Sequence, residues 1–133
     1  MDVGTKRSRK TEEEKSGDKV NRPDRKKSVA FADANMKEAF EKLREGKFED
    51  KQLLEFLQRA IEDLRSNPFC GIRIPSKLWP KEYVQKYNID NLFKYNLPNA
   101  WRLMYSLRGS EIEIISIILE WTDHKEYERK FKY

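Results

Sequence analysis

The run from Ile112 to Trp121 constrains the chain most. It carries Ile112, Ile114, Ile115, Ile117, Ile118 and Leu119, with little polar relief between them. So dense a β-branched stretch suits a strand covered on both faces at the centre of a sheet. Two runs before it alternate instead. Asn91 to Leu97 sets Leu92, Tyr95 and Leu97 among polar residues, and Trp101 to Leu107 puts Trp101, Leu103, Tyr105 and Leu107 on one parity. Both read as half-buried strands. Only Leu97-Pro98-Asn99-Ala100 and Arg108-Gly109-Ser110 separate the three runs, so they form an antiparallel meander. If Trp101, Leu103 and Tyr105 face a core, Arg102 and Met104 face away from it. That parity puts Arg102 on an open sheet face.

The residues upstream supply the cover for the other face. Ser28 to Ala32 reads as a first strand. Asn35 with Glu38 three residues on resembles a capping box, and Met36, Ala39, Phe40 and Leu43 follow at helical spacing until Gly46. A longer helix runs from about Asp50 to Arg65, with Leu53, Leu57, Ile61 and Leu64 on one stripe, and Asn67-Pro68 ends it. Gly71 to Ile74 makes a brief strand. Trp79 to Tyr87, with Pro80 in its first turn, makes one or two helical turns. The order predicts an α+β fold: an N-terminal strand and a helical hairpin packed on one face of a curled antiparallel sheet, the opposite face left free to bind.

Composition limits the functional classes. The 133 residues carry 28 Lys and Arg, 23 Asp and Glu, and one His, a formal charge of +5. Residues 1–28 hold 10 basic and 6 acidic residues, while residues 71–133 hold 11 and 8. The excess therefore sits in the leader and in the sheet half, where an anion-binding face belongs. Residues 1–27 lack aromatic residues and cannot bury enough surface to offset chain entropy, so they are expected to be a disordered, charged tail before one domain over 28–133. No apolar run approaches a membrane span, and the expectation is a soluble, cytoplasmic protein without membrane contact. The single cysteine, Cys70, reads as a small buried hydrophobe. No spacing in the chain resembles a metal site, and no cofactor is expected.

NLFKYNLPNAWRLMYSL, the isoleucine-rich strand and then WTDHKEYERKF together resemble the C-terminal half of RelE/ParE-superfamily toxins, most closely archaeal RelE-type sequences. The helical hairpin ending at Asn67-Pro68 fits the same pattern, and the resemblance covers about residues 28 to 133. It implies a ribosome-dependent mRNA endoribonuclease, an mRNA interferase, in which a 2′-hydroxyl attacks the adjacent phosphate without a metal. It also implies a cognate antitoxin as partner, with DNA bound only indirectly through that antitoxin. ParE-like relatives, which inhibit DNA gyrase without being enzymes, and inactive proteins of the same fold are the alternatives.

By position, the resemblance assigns Arg102 to the transition-state arginine and Lys94 to a basic position on the preceding strand. His124, Lys125 and Tyr127 match the terminal segment that supplies a proton donor or acceptor, a phosphate contact and a base-stacking ring. Arg73, Lys77, Arg108 and Tyr133 are further candidates for binding RNA. Each has a structural alternative: Arg102 could pair across strands with Glu113 or Glu120, His124 could simply be exposed, and Tyr127, Phe131 and Tyr133 could cap the core as a terminal helix. The chain departs from the family pattern at Asn96, where a second basic residue is common, and in a longer insertion from Pro75 to Asp90.

Overall fold

The computed structural model describes residues 25–131. The expected disordered tail lies outside the described residues up to residue 24, as does Tyr133. The first strand begins earlier than its apolar core implied, because Lys26 and Lys27 already pair with the neighbouring strand.

Five strands form one sheet: β1 (Lys26–Phe31), β2 (Ile72–Arg73), β3 (Phe93–Asn96), β4 (Arg102–Gly109) and β5 (Glu113–Thr122). Their spatial order is β1-β5-β4-β3-β2. The meander β3-β4-β5 is antiparallel as expected. The sheet as a whole is mixed, because β1 runs parallel to β5 from Lys26 opposite Glu113 to Phe31 opposite Ile118. The expectation of a wholly antiparallel sheet thus fails at one edge. The helical hairpin brings the chain back as β2 running opposite to β1, and the three antiparallel reversals that follow then leave β5 pointing the same way as β1.

The hairpin consists of α1 (Ala34–Lys42), a short 3-10 turn (Leu43–Glu45) and α2 (Phe48–Ser66). The cap of α1 is Asp33 rather than Asn35: Asp33 Oδ1 accepts from the Met36 amide at 2.8 Å. An acceptor three residues ahead of the amide is what an N-cap requires. Asp33 also receives the Tyr87 hydroxyl at 3.4 Å and lies 3.6 Å from Lys86 Nζ, so it ties the helical hairpin to a segment far along the chain. The Met36 amide and the Lys86 charge hold its carboxyl below the usual carboxylate range despite partial burial. Because the folded pKa is depressed, this stabilisation is complete above the unfolded value and is lost as pH falls through the folded one. Asp33→Ala is expected to cost about 1 kcal/mol near neutral pH, and urea titrations should find the deficit closing below about pH 4.

Along α2, Leu53, Leu54, Leu57, Ala60 and Leu64 are buried. They meet Phe93, Leu97, Leu103, Tyr105, Leu107, Ile114 and Ile118 from the sheet, with Phe40 of α1 beside them. Tyr105 is buried at the centre of this layer, stacked on Phe93 with ring centroids 5.3 Å apart. Its hydroxyl donates to Pro68 O at 2.8 Å and accepts from the Gly71 amide at 2.9 Å. A Cβ on Gly71 would lie 2.6 Å from that hydroxyl, so the close approach requires glycine. Tyr105→Phe strands two backbone groups and is expected to cost about 1–3 kcal/mol, read as a lower urea midpoint with unchanged slope.

The opposite sheet face is covered, contrary to the expectation of an open one. The short helix α3 (Lys81–Tyr87) and the terminal helix α4 (His124–Phe131) lie on it. Tyr83, Tyr127 and Phe131 from these helices join Leu92, Met104 and Leu119 from the sheet, with Ile74 and Ile89, in a second buried cluster. Leu92 therefore belongs to this face rather than with Tyr95 and Leu97. The polar terminal run still presents two aromatic residues on one side of one helix, enough to bury it.

A β-bulge explains how a charged residue enters this layer. Met104 pairs with Glu120 and Tyr105 with Ile118, which leaves Leu119 as the extra residue. The bulge turns Leu119 and Glu120 toward the same face. Glu120 then accepts the Tyr83 hydroxyl at 2.5 Å and lies 3.2 Å from Lys130 Nζ, while Lys130 also reaches Glu82 at 2.9 Å. One carboxylate thus joins β5 to both covering helices.

Candidate functional site

The cations nearest the chemistry expected from the sequence sit where α4 leaves the sheet. Asn96 pairs with Arg102 and Lys94 with Met104 across β3 and β4, which puts Lys94, Arg102 and Met104 on the α4 side. Arg102 Cζ lies 5.3 Å and Lys94 Nζ 5.1 Å from the centroid of the Tyr127 ring. Two positive charges therefore share one aromatic ring, an arrangement that offsets part of their mutual repulsion.

Arg102 does not form the cross-strand ion pair that its neighbours allow. Its register partner on β5 is Thr122. Glu120 is occupied by Tyr83 and Lys130, and Glu113 accepts from Ser28 Oγ at 3.0 Å. Arg102 Nη1 makes a long bond to Trp101 O at 3.3 Å. Its Nε and the facing Thr122 Oγ1 are both buried without a hydrogen-bond partner. Buried polar atoms are normally satisfied, so two orphans on adjacent register positions mark a place able to accept a polar ligand.

Asp123 caps α4, its carboxylate accepting from the Glu126 amide at 2.9 Å. His124 follows on the exposed side, with Nε2 3.2 Å from Glu128 Oε2 one turn later. Tyr127 sits on the buried side, 2% exposed and stacked 4.5 Å from Phe131. This placement corrects one expectation, since a ring this covered offers no surface on which a base can stack. It serves instead as the platform for Arg102 and Lys94.

The remaining candidates do not converge on that point. Lys125 is exposed on α4. Arg73 pairs with Phe93 and stacks on its ring at 5.7 Å, which puts it on the helical-hairpin face. Arg108 lies six residues along β4 from Arg102, roughly 20 Å away, and donates to Tyr87 O and Asn88 O at 3.4 and 3.2 Å. Lys77 lines a cleft near the far end of α4 together with Trp79, Lys81, Arg129 and Lys130. Cys70 is exposed rather than buried. Partial burial and the Asp63 carboxylate push its thiol above the usual range, away from a reactive thiolate.

Sequence reasoning missed Lys81, Arg129 and the Tyr83–Glu120–Lys130 bridge. A glutamate in an otherwise apolar strand was the available signal for the bridge. Among the described residues, no helix is long and apolar enough to cross a membrane. No family model, no curated protein and no solved structure matches this chain.

Proposed function

We propose that this protein is a RelE-type mRNA interferase, a metal-independent endoribonuclease that cuts ribosome-bound mRNA and is restrained by a cognate antitoxin. The observation that carries the reading is the Arg102–Lys94 pair on the Tyr127 ring, with Arg102 Nε and Thr122 Oγ1 left unsatisfied beside it. In the reaction the ribose 2′-oxygen loses its proton and bonds to phosphorus. The bond from phosphorus to the 5′-oxygen breaks, and that oxygen takes up a proton. The products are a 2′,3′-cyclic phosphate and a free 5′-hydroxyl. Charge gathers on the non-bridging oxygens as phosphorus becomes five-coordinate, and fixed cations held against the buried Tyr127 ring stabilise it without rearranging. His124, exposed at the start of α4 and oriented by Glu128, exchanges a proton with the sugar oxygens.

The antitoxin would act by wrapping α1 and α2 or by lifting α4, whose aromatic residues cover the cation pair. One observation favours a second reading, a ParE-like inhibitor of gyrase: the buried Tyr127 leaves no ring for a flipped-out base. Controlled expression separates the two readings. The interferase reading predicts growth arrest with transcripts cut within translated regions. Arrest with intact transcripts and relaxed plasmid DNA would transfer the assignment to the gyrase inhibitor.

A further inference from the structure

A cleft of about 580 Å³ opens between the loop that precedes α3 and the last turn of α4. Its lining holds four cations, Lys77, Lys81, Arg129 and Lys130, against one carboxylate, Glu82. Lys130 is neutralised within the protein by Glu82 and Glu120, and Arg129 by Glu126. Lys77 and Lys81 have no ion-pair partner among the described residues and are exposed. Trp79 lies between them in sequence, with its indole N–H donating to Ile74 O at 2.8 Å, so the ring is held in the cleft wall. Free ammonium groups around a fixed aromatic ring match the demands of a single nucleic-acid strand, which needs cations for its phosphates and flat surfaces for its bases.

We propose that this cleft binds the phosphodiester backbone of a single RNA strand, with Lys77 and Lys81 on successive phosphates and Trp79 against a base. The inference rests on the interferase reading for its choice of RNA, and it extends that site. Five residues of α4 separate His124 from Arg129, a rise of about 7.5 Å, close to the span of one extended nucleotide. Lys125 is exposed on the same side of α4 as Arg129, one turn before it. One wall of the cleft comes from the Pro75–Asp90 segment, through Lys77, Trp79 and Lys81, and the other from the end of α4, through Arg129, Lys130 and Phe131.

The test uses the full chain and a fluorescent 2′-O-methyl oligouridylate, which keeps the phosphates and bases but has no attacking hydroxyl. Lys77→Ala with Lys81→Ala is expected to weaken binding about tenfold at low salt and to flatten the slope of log affinity against log salt by about 1.4. Lys37→Ala with Lys42→Ala removes the same charge from α1 and is expected to change neither. Equal losses in the two double variants would overturn the proposal, as would no binding by the wild type or displacement of the oligonucleotide by an equal concentration of oligoglutamate. The result stands apart from the nuclease reading. Loss of binding in the first variant from a protein that leaves ribosomal mRNA intact supports the cleft and removes the enzyme, and cleavage with unchanged binding does the reverse.

Discussion

Arg102→Ala is expected to slow mRNA cleavage on programmed ribosomes by about 10²–10³-fold, the usual effect of removing one preorganised donor to a developing charge. The structure makes this variant unusually clean. Among the described residues the guanidinium makes a long hydrogen bond to Trp101 O and a contact with the Tyr127 ring, and it pairs with no carboxylate. Removing it therefore strands no buried acid, and the stability lost should be limited to a cation–π contact of about 0.5–2 kcal/mol. Arg102→Lys keeps the charge but loses the planar fork that can lie on the ring while binding two phosphate oxygens. It should recover only part of the rate. Cleavage by Arg102→Ala at the wild-type rate would remove the cation pair from the mechanism.

Phe131→Ala has the largest expected structural effect, a loss of about 3–5 kcal/mol in urea unfolding, typical of truncating a buried aromatic ring. Phe131 is 2% exposed, stacks on Tyr127 at 4.5 Å and meets Tyr83 edge-on at 6.3 Å. Against a total stability of about 5–15 kcal/mol, that loss would release α4 and the platform beneath Arg102. Hydrogen exchange of the Glu128–Lys130 amides should accelerate even where the sheet stays protected. A loss below about 1 kcal/mol would mean that α4 is not docked as described. The same layer should weaken in alkali. Burial works to lower the Lys130 pKa, but its hydrogen bond to Glu82 and its attraction to Glu120 outweigh it and leave the ammonium above its usual value. Burial and the bond to Glu120 raise the Tyr83 hydroxyl as well. Both contributions are complete below the unfolded values near pH 10 and disappear as pH climbs through the folded ones. Unfolding free energy should therefore fall above about pH 10.

The meander and the helical hairpin were legible because each carries its own period: alternation in β4, the Leu53–Leu57–Leu64 stripe in α2 and the isoleucine run in β5. The side of β4 that holds Arg102 followed from parity alone. What that side faces did not. Tyr127 and Phe131 are four apart in a segment otherwise crowded with charge, so a local reading finds a solvated tail. Burial appears only when Tyr83, Met104 and Leu119, distant in sequence, gather over the same spot. The β1 direction was similarly hidden, because the short run Ser28–Ala32, with four apolar residues, fits either pairing and only the number of chain reversals decides. The Asp33 cap was displaced by a better-looking motif two residues later, and its link to Lys86 and Tyr87 is purely tertiary. For the site, alternation gave the face of Arg102 but not its neighbour: that Lys94 shares the face follows from the β3–β4 register, with Lys94 opposite Met104 and Asn96 opposite Arg102. The positions of Arg73 and Arg108 depend on register and on the length of β4, neither of which the sequence states.

Mapping RNA ends after incubating the purified protein with ribosomes programmed with a defined mRNA tests the central claim most directly. The account predicts a cut within the decoding-site codon, a 2′,3′-cyclic phosphate on the upstream fragment and a 5′-hydroxyl on the downstream one. Intact mRNA at every codon tried, from protein whose folding is verified by a cooperative urea transition, would contradict it.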